Sequence, residues 1–352
     1  MGGTHVGRGG GERRVRGFVG SFTGAGGPGV LAVEVDEGSG ALTPTGASDA
    51  VADPSFLALD GDVLYAVSEI DAGAVAAFDV TGPAPRPLGA PVPVNACGPT
   101  HLALAAGHVL TANYTSGSVS SLPRAADGTL GPVTGQVRHE GSGPVADRQA
   151  GPHAHQVLPD PSGRWVLAVD LGTDSVVITV LDPATGTLSP HGLTPLRPGT
   201  GPRHLAFHPA GTHAYVLNEL EPTLTVCRWD AGTGVLTPLG ETRLVPEGTA
   251  PAYPSELVVA PDGRFLWAAV RGTDTVAVLA LDADGSGARL VASVPCGGHW
   301  PRDLTLGPSG RHLYAANERS GDVTWFTLDP ESGVPAPAGS LPAPAASCVV
   351  FG

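Results

Sequence analysis

The chain has 352 residues with 33 acidic and 19 basic side chains, a formal net charge of −14, and every one of those basic residues is arginine. Without lysine there is no amine for a Schiff base, for pyridoxal phosphate or for a Walker-type phosphate loop. An acidic chain with no clustered basic stripe is also poorly suited to nucleic acid. Glycine and proline are abundant (51 and 35 residues), but 41% of residues are hydrophobic and only 15% charged, so the chain can bury a core and these residues read as turn punctuation.

Residues 1–16 are rich in Gly and Arg and lack an apolar core segment, which predicts a disordered tail rather than a signal peptide. No run of about 18 apolar residues occurs, so no membrane span is expected. The four cysteines (Cys97, Cys227, Cys296, Cys348) form no C-x-x-C pair, and reduced thiols in a cytoplasmic protein are the expectation.

From residue 17 onward, short runs of Val, Leu, Ala, Tyr and Thr alternate with turn residues, and sustained helical periodicity is absent. Aligning the segments that begin at Pro54, Pro99, Pro152, Pro202, Pro254 and Pro301 brings like features into register, at spacings of 45, 53, 50, 52 and 47 residues. Each unit opens with an apolar run such as Ser55–Leu59 and passes a tight turn such as Asp160-Pro161-Ser162-Gly163-Arg164. A second strand such as Leu313-Tyr314-Ala315-Ala316 follows, then a third, and a hairpin such as 230–238 leads into a fourth. Four antiparallel strands per repeat at this period predict a β-propeller. Residues 17–52 supply only three strands of a seventh unit, and Ala346–Phe351 resembles the missing first strand. The expectation is one all-β domain over 17–352, a seven-bladed propeller closed by its C-terminal strand, so that no long edge stays open.

Several motifs carry nothing. Gly24-Ala25-Gly26-Gly27-Pro28-Gly29 matches G-x-G-x-x-G, but a strand-like run follows where a dinucleotide site needs a helix. His153 and His155 form an H-x-H pair with no acidic or histidine cluster nearby in sequence, so neither a metal nor a cofactor is expected.

The repeat converts position into space. In an antiparallel pair the start of the first strand lies beside the end of the second, so both face one mouth of the central channel. First-strand starts contribute His101, His153, His155, Arg203 with His204, Ser255 with Glu256, and Arg302 with Asp303. Second-strand ends contribute Glu69, Tyr114, Asp170, Glu219, Arg271 and Glu318. Carboxylates here serve equally as blade-bridging partners of arginine. The arginines and His155 have no packing role in a blade, and guanidinium groups in a mouth suit an anionic substrate.

These residues also carry a resemblance. Phe18-Val19-Gly20-Ser21-Phe22-Thr23 resembles the Y-V-G-T-Y-T opening of the propeller lactonase family, which includes bacterial 6-phosphogluconolactonases and fungal carboxymuconate cyclases, with Phe22 in place of the usual Tyr. Pro54–Leu59 with Leu64–Glu69, Gly201–His204 with Asn218-Glu219, and Pro301–Asp303 with Asn317-Glu318 continue the likeness across 17–352. In the cyclase branch a His, an Arg, a Glu and a second Arg act at the mouth. The resemblance places these roles on His155, Arg203, Glu219 and Arg271, with His153 as the competing histidine. His101, His153, Asp170, Arg302 and Glu318 are expected to contact substrate.

The implied activity is hydrolysis of 6-phosphoglucono-δ-lactone without metal, a step of the pentose phosphate pathway. Glu219 or His155 would be the base and Arg203 with Arg271 the anion or oxyanion binders. The alternatives are a carboxymuconate-type cycloisomerase and a non-catalytic propeller that binds a ligand or protein. The expected partner is a small anionic lactone; the sequence leaves the oligomeric state open and is compatible with a monomer.

Overall fold

The computed structural model describes residues 15–249 and 251–352; most of the expected N-terminal tail therefore lies outside the described residues. Seven antiparallel sheets follow one another along the chain, and a single 3-10 turn at Thr23–Ala25 is the only helical element among the described residues. The first strands of blades 2 to 7 are Leu57–Asp60, Pro99–Ala105, Ala154–Pro159, Pro202–Phe207, Tyr253–Val259 and Pro301–Leu306. Blade 1 takes its first strand from the C-terminus: Ala346–Phe351 pairs antiparallel with Val15–Ser21, so the ring closes as expected. The first strands contact one another around the channel.

Burial runs inward. First, second and third strands are largely buried, whereas fourth strands such as Leu188–Pro195 and Ala288–Pro295 face solvent over much of their length. A second strand such as Phe265–Arg271 is apolar at nearly every position because neighbouring blades cover both of its faces. The core accordingly divides into seven apolar clusters, one between each pair of adjacent blades.

The end of the ring away from the predicted mouth is built by repetition. Aromatic residues near the start of the second strand donate hydrogen bonds to the next blade's outer hairpin. The pairs are Tyr65 Oη to Gly128 O, Trp165 Nε1 to Ala231 O, Tyr215 Oη to Gly285 O, Trp267 Nε1 to Gly333 O and Tyr314 Oη to Gly40 O, at 2.7–3.0 Å. The hairpins themselves are pinned by aspartates that accept from their own turn, for example Asp230 from Gly232 N and Asp329 from Ser332 N. Blade 2 departs from the pattern. Its Pro-rich segment 83–93 gives only two short outer strands, Arg86–Pro87 and Val92–Pro93, because proline has no N–H to offer the ladder.

Candidate active site

Two local devices aim side chains into the mouth. The first is a β-bulge at the start of the first strands. The pairing skips Thr100, His155, Arg203, Ser255 with Glu256, Arg302 and Ser347, each left unpaired opposite the second strand. A bulge adds one residue and re-aims what it carries, and here it presents His155, Arg203 and Arg302. The second is a left-handed residue just before the first strand. Asp53, Gly98, Gly201 and Trp300 have φ of 45, 58, 58 and 66°. Their carbonyls accept from the amides of Glu69, Tyr114, Glu219 and Glu318, fixing those mouth residues. Gly201 is required, since a Cβ there would meet the Leu220 side chain. Trp300 takes the same conformation with a bulky side chain, a strained choice held by the Asp274 carboxylate on its amide.

Glu219, at the end of the blade 5 second strand, is buried at 5% exposure and gathers three arginines. Its Oε1 accepts from Arg148 Nη2 at 2.6 Å, and its Oε2 lies 2.8 Å from Arg271 Nη2 and 3.2 Å from Arg203 Nε. The Arg203 contact is off line for a hydrogen bond and is therefore an electrostatic pair, while Arg203 Nη1 donates to Ser255 O. Burial alone would raise the Glu219 carboxyl, but Arg271, Arg203 and Arg148 outweigh it and hold it down to about 2. So clamped, Glu219 is a weak base and a strong organiser of arginines. Burial, aided by the charge of Arg271, pulls Arg203 down to about 9, still cationic at neutral pH. Arg302 bridges Glu318 at 3.3 Å and Glu69 at 3.6 Å, with its guanidinium 4.9 Å from the Phe22 ring. At the rim Arg319 lies 3.4 Å over Trp300, whose ring is 5.4 Å from Arg271.

His155 stands on the same side of the channel. Burial, then the charges of Arg203 and His204, push its pKa well below the usual value, so it is neutral at physiological pH. Its Nδ1 lies 3.1 Å from His204 Nε2, whose Nδ1 lies 2.7 Å from Glu256 Oε2. His153 turns elsewhere: it stacks on Tyr114 at 4.4 Å and its Nδ1 hydrogen-bonds the Tyr114 carbonyl. His101 is buried against Phe56 at 4.0 Å and edge-on to His204 at 5.4 Å. Among the described residues no group of three His, Cys, Asp or Glu is arranged to hold a metal ion.

Asp170 needs correction as a substrate contact. It is fully buried, its Oδ1 accepts from the amides of His153, Gly172 and Thr173, and its Oδ2 is 2.6 Å from His139 Nδ1. Fully buried and held by these partners, it does not face the open mouth. The register puts Asp170 level with Asn113, Asn218 and Asn317, one residue before the position that Tyr114, Glu219 and Glu318 occupy.

Arg148 escapes the repeat-based reading because it lies in the 139–153 connection between blades 3 and 4, outside any strand. Gln149 roots that connection by donating to Leu171 O and accepting from Val145 N, which leaves Arg148 reaching inward. The length of this connection is the one sequence signal that marks it. A recess of about 590 Å³ opens at the opposite end of the ring, beside Arg16, Glu37, Asp62 and Gly352. It holds no comparable convergence of charge, so the chemistry points to the mouth.

Buried arginines gathered around a carboxylate, with a neutral histidine alongside, suit an anionic ligand better than an apolar docking partner. A family model described as "Lactonase, 7-bladed beta-propeller" matches residues 16–351. The chain belongs to this family. It is 31% identical to the 6-phosphogluconolactonase of Bacillus subtilis, covering 90% of this chain and 92% of the relative. A crystal structure of a Lactobacillus plantarum protein superposes with a TM-score of 0.91 at 31% identity, over 96% of this chain and 99% of that one. The periplasmic gluconolactonase of Pseudomonas aeruginosa gives a TM-score of 0.88 at 28% identity, over 96% and 99%. No helix of the described residues is long and apolar enough to cross a membrane.

Proposed function

We propose that this chain hydrolyses 6-phosphoglucono-δ-lactone to 6-phosphogluconate in the cytoplasm, without a metal, at this arginine-rich mouth. The observation that supports this most is the gathering of Arg148, Arg203 and Arg271 on Glu219 beside neutral His155. His155 takes a proton from water as the resulting hydroxide adds to the lactone carbonyl. Arg203 and Arg271, buried and already oriented by Glu219, stabilise the oxyanion as it forms. Collapse of the tetrahedral intermediate breaks the bond to the ring oxygen, which leaves as the hydroxyl after taking the proton back from His155. Arg148, the most exposed of the three arginines on Glu219, meets the phosphate. Binding an anion beside His155 offsets the arginine charges that depress it and raises its basicity toward neutral pH.

The test compares freshly prepared 6-phosphogluconolactone, unphosphorylated gluconolactone and carboxymuconate on the full chain. Fastest turnover of the phosphorylated lactone is expected. Equal rates on gluconolactone would remove the phosphate from the reading, and turnover of carboxymuconate alone would replace hydrolysis by cycloisomerisation.

A further inference from the structure

At and beside the bulges, a line of side chains links one blade to the next. His155 on blade 4 meets His204 on blade 5, His204 meets Glu256 on blade 6, and Glu256 hydrogen-bonds Asp303 on blade 7. Asp303 Oδ2 in turn accepts from Val349 N at 2.7 Å, on the strand that closes the ring. Phe56 and His101 wall the other side of His204 at 6.4 and 5.4 Å. All four members of the chain are buried, and the hydrolysis proposed for the mouth uses only the first.

Donor and acceptor accounting gives this chain a direction. Glu256 Oε1 accepts from Leu257 N at 2.9 Å, so a backbone N–H fixes one oxygen as an acceptor. Two carboxyls in hydrogen-bond contact cannot both ionise; burial raises Glu256 as well, but the Arg203 charge opposes that rise and makes Glu256 the readier of the two to ionise. Burial first, and then the charge of Glu256, raise Asp303 well above the ordinary carboxyl range, so Asp303 keeps the proton. Glu256 is then an acceptor at both oxygens. His204 must carry its proton on Nδ1 to donate to Oε2, leaving Nε2 as a lone pair. His155 must carry its proton on Nδ1 to donate to His204, leaving its own Nε2 as a lone pair with no hydrogen-bond partner among the described residues.

We propose that His204, Glu256 and Asp303 are positioning residues that lock His155 in the Nδ1–H tautomer, so that Nε2 is the basic atom facing substrate. This rests on the reading of His155 as the base, but the tautomer assignment is independent of any substrate. The isosteric Glu256→Gln substitution reverses the chain. Leu257 N–H retains the amide oxygen, the new NH2 faces His204 Nδ1, His204 donates from Nε2, and His155 is left with its proton on Nε2 and no base.

Imidazole nitrogen NMR on the full chain, with His155 assigned through the loss of its signals in His155→Gln, reads the tautomers directly. Expected in the unsubstituted protein is a protonated Nδ1 and a bare Nε2 on both His155 and His204. Glu256→Gln should invert both and lower kcat about 100-fold while KM stays within about threefold. A bare Nδ1 on His155 in the unsubstituted protein overturns the proposal, whatever the activity, and so does a Glu256→Gln enzyme with unchanged kcat. If Glu256→Gln fails to fold, the spectrum of the unsubstituted protein still decides. Full turnover by His155→Ala would overturn the assignment of the base instead, and the spectra would still report the tautomers independently.

Discussion

The two ends of the ring are built on opposite principles. At the end away from the mouth the blades do nearly the same thing: a tight turn, an aspartate-pinned hairpin and, at five blade junctions, a Tyr or Trp donor reaching the next blade. At the mouth the bulged positions of six blades carry four different residue types, Thr100, His155, Arg203, Ser255, Arg302 and Ser347. Repetition satisfies the backbone cheaply and builds stability. Variation at a fixed scaffold position concentrates buried charge, which costs desolvation and is retained for chemistry. The difference predicts that substitutions at the end away from the mouth change stability, and those at the mouth change activity.

The most severe test removes the strand that both ends share. Deleting residues 346–352 should abolish cooperative folding, because it opens blade 1, exposes the edge of Val15–Ser21 and strips Asp303 of its Val349 partner. Deleting residues 1–14 should leave Tm near that of the full chain. Thermal unfolding followed by circular dichroism distinguishes them.

Glu219→Gln tests how far the mouth also supports the fold. Removing the carboxylate leaves three guanidinium groups facing one another and should cost about 3–5 kcal/mol, together with most of the activity. The folded Glu219 carboxyl titrates at about 2, below its unfolded value near ~4.3. Its contribution is therefore present above that unfolded value and is lost as pH falls toward 2. The stability gap between the two proteins in urea titrations should close over that interval. A constant gap would show that packing, not charge, is at stake.

A crossed pair separates the two ends. Arg203→Ala should lower kcat/KM about 100- to 1000-fold, as loss of an oxyanion donor does. Asp160→Ala should leave kcat/KM unchanged and cost about 1–3 kcal/mol, because Asp160 accepts from Arg164 N, Trp165 N, Ser162 Oγ and Trp229 Nε1. The reverse pattern would undo the division between the ends. The smallest effect is expected from Arg148→Ala: about a tenfold rise in KM for the phosphorylated lactone, with kcat within about threefold and little change for gluconolactone. A kcat loss of equal size would move Arg148 from phosphate binding to the chemistry.

Strand order, blade count, ring closure and the column of mouth residues were legible because a repeat converts sequence position into location. The tight turns and the Tyr or Trp near the start of the second strand recur in the sequence for the same reason that they recur in space. Roles within the mouth were less legible. Asp170 stands one repeat position before Glu219, in register with Asn218, and is consumed by three amides and His139, while Glu219 collects arginines. His153 and His155 are two residues apart, and a bulge decides which of them meets His204. Arg148 follows no repeat at all.

By itself the sequence determined the propeller, since alternating apolar runs at a period near 50 residues can bury both faces of each sheet only by stacking blades into a ring. It also determined that the permanent positive charge at the mouth is arginine. Only the tertiary structure decided which carboxylate holds those arginines, which histidine keeps a free nitrogen, and how protons are arranged behind it. Those outcomes depend on hydrogen bonds between residues some fifty positions apart, where a shift of a few ångströms changes the partner.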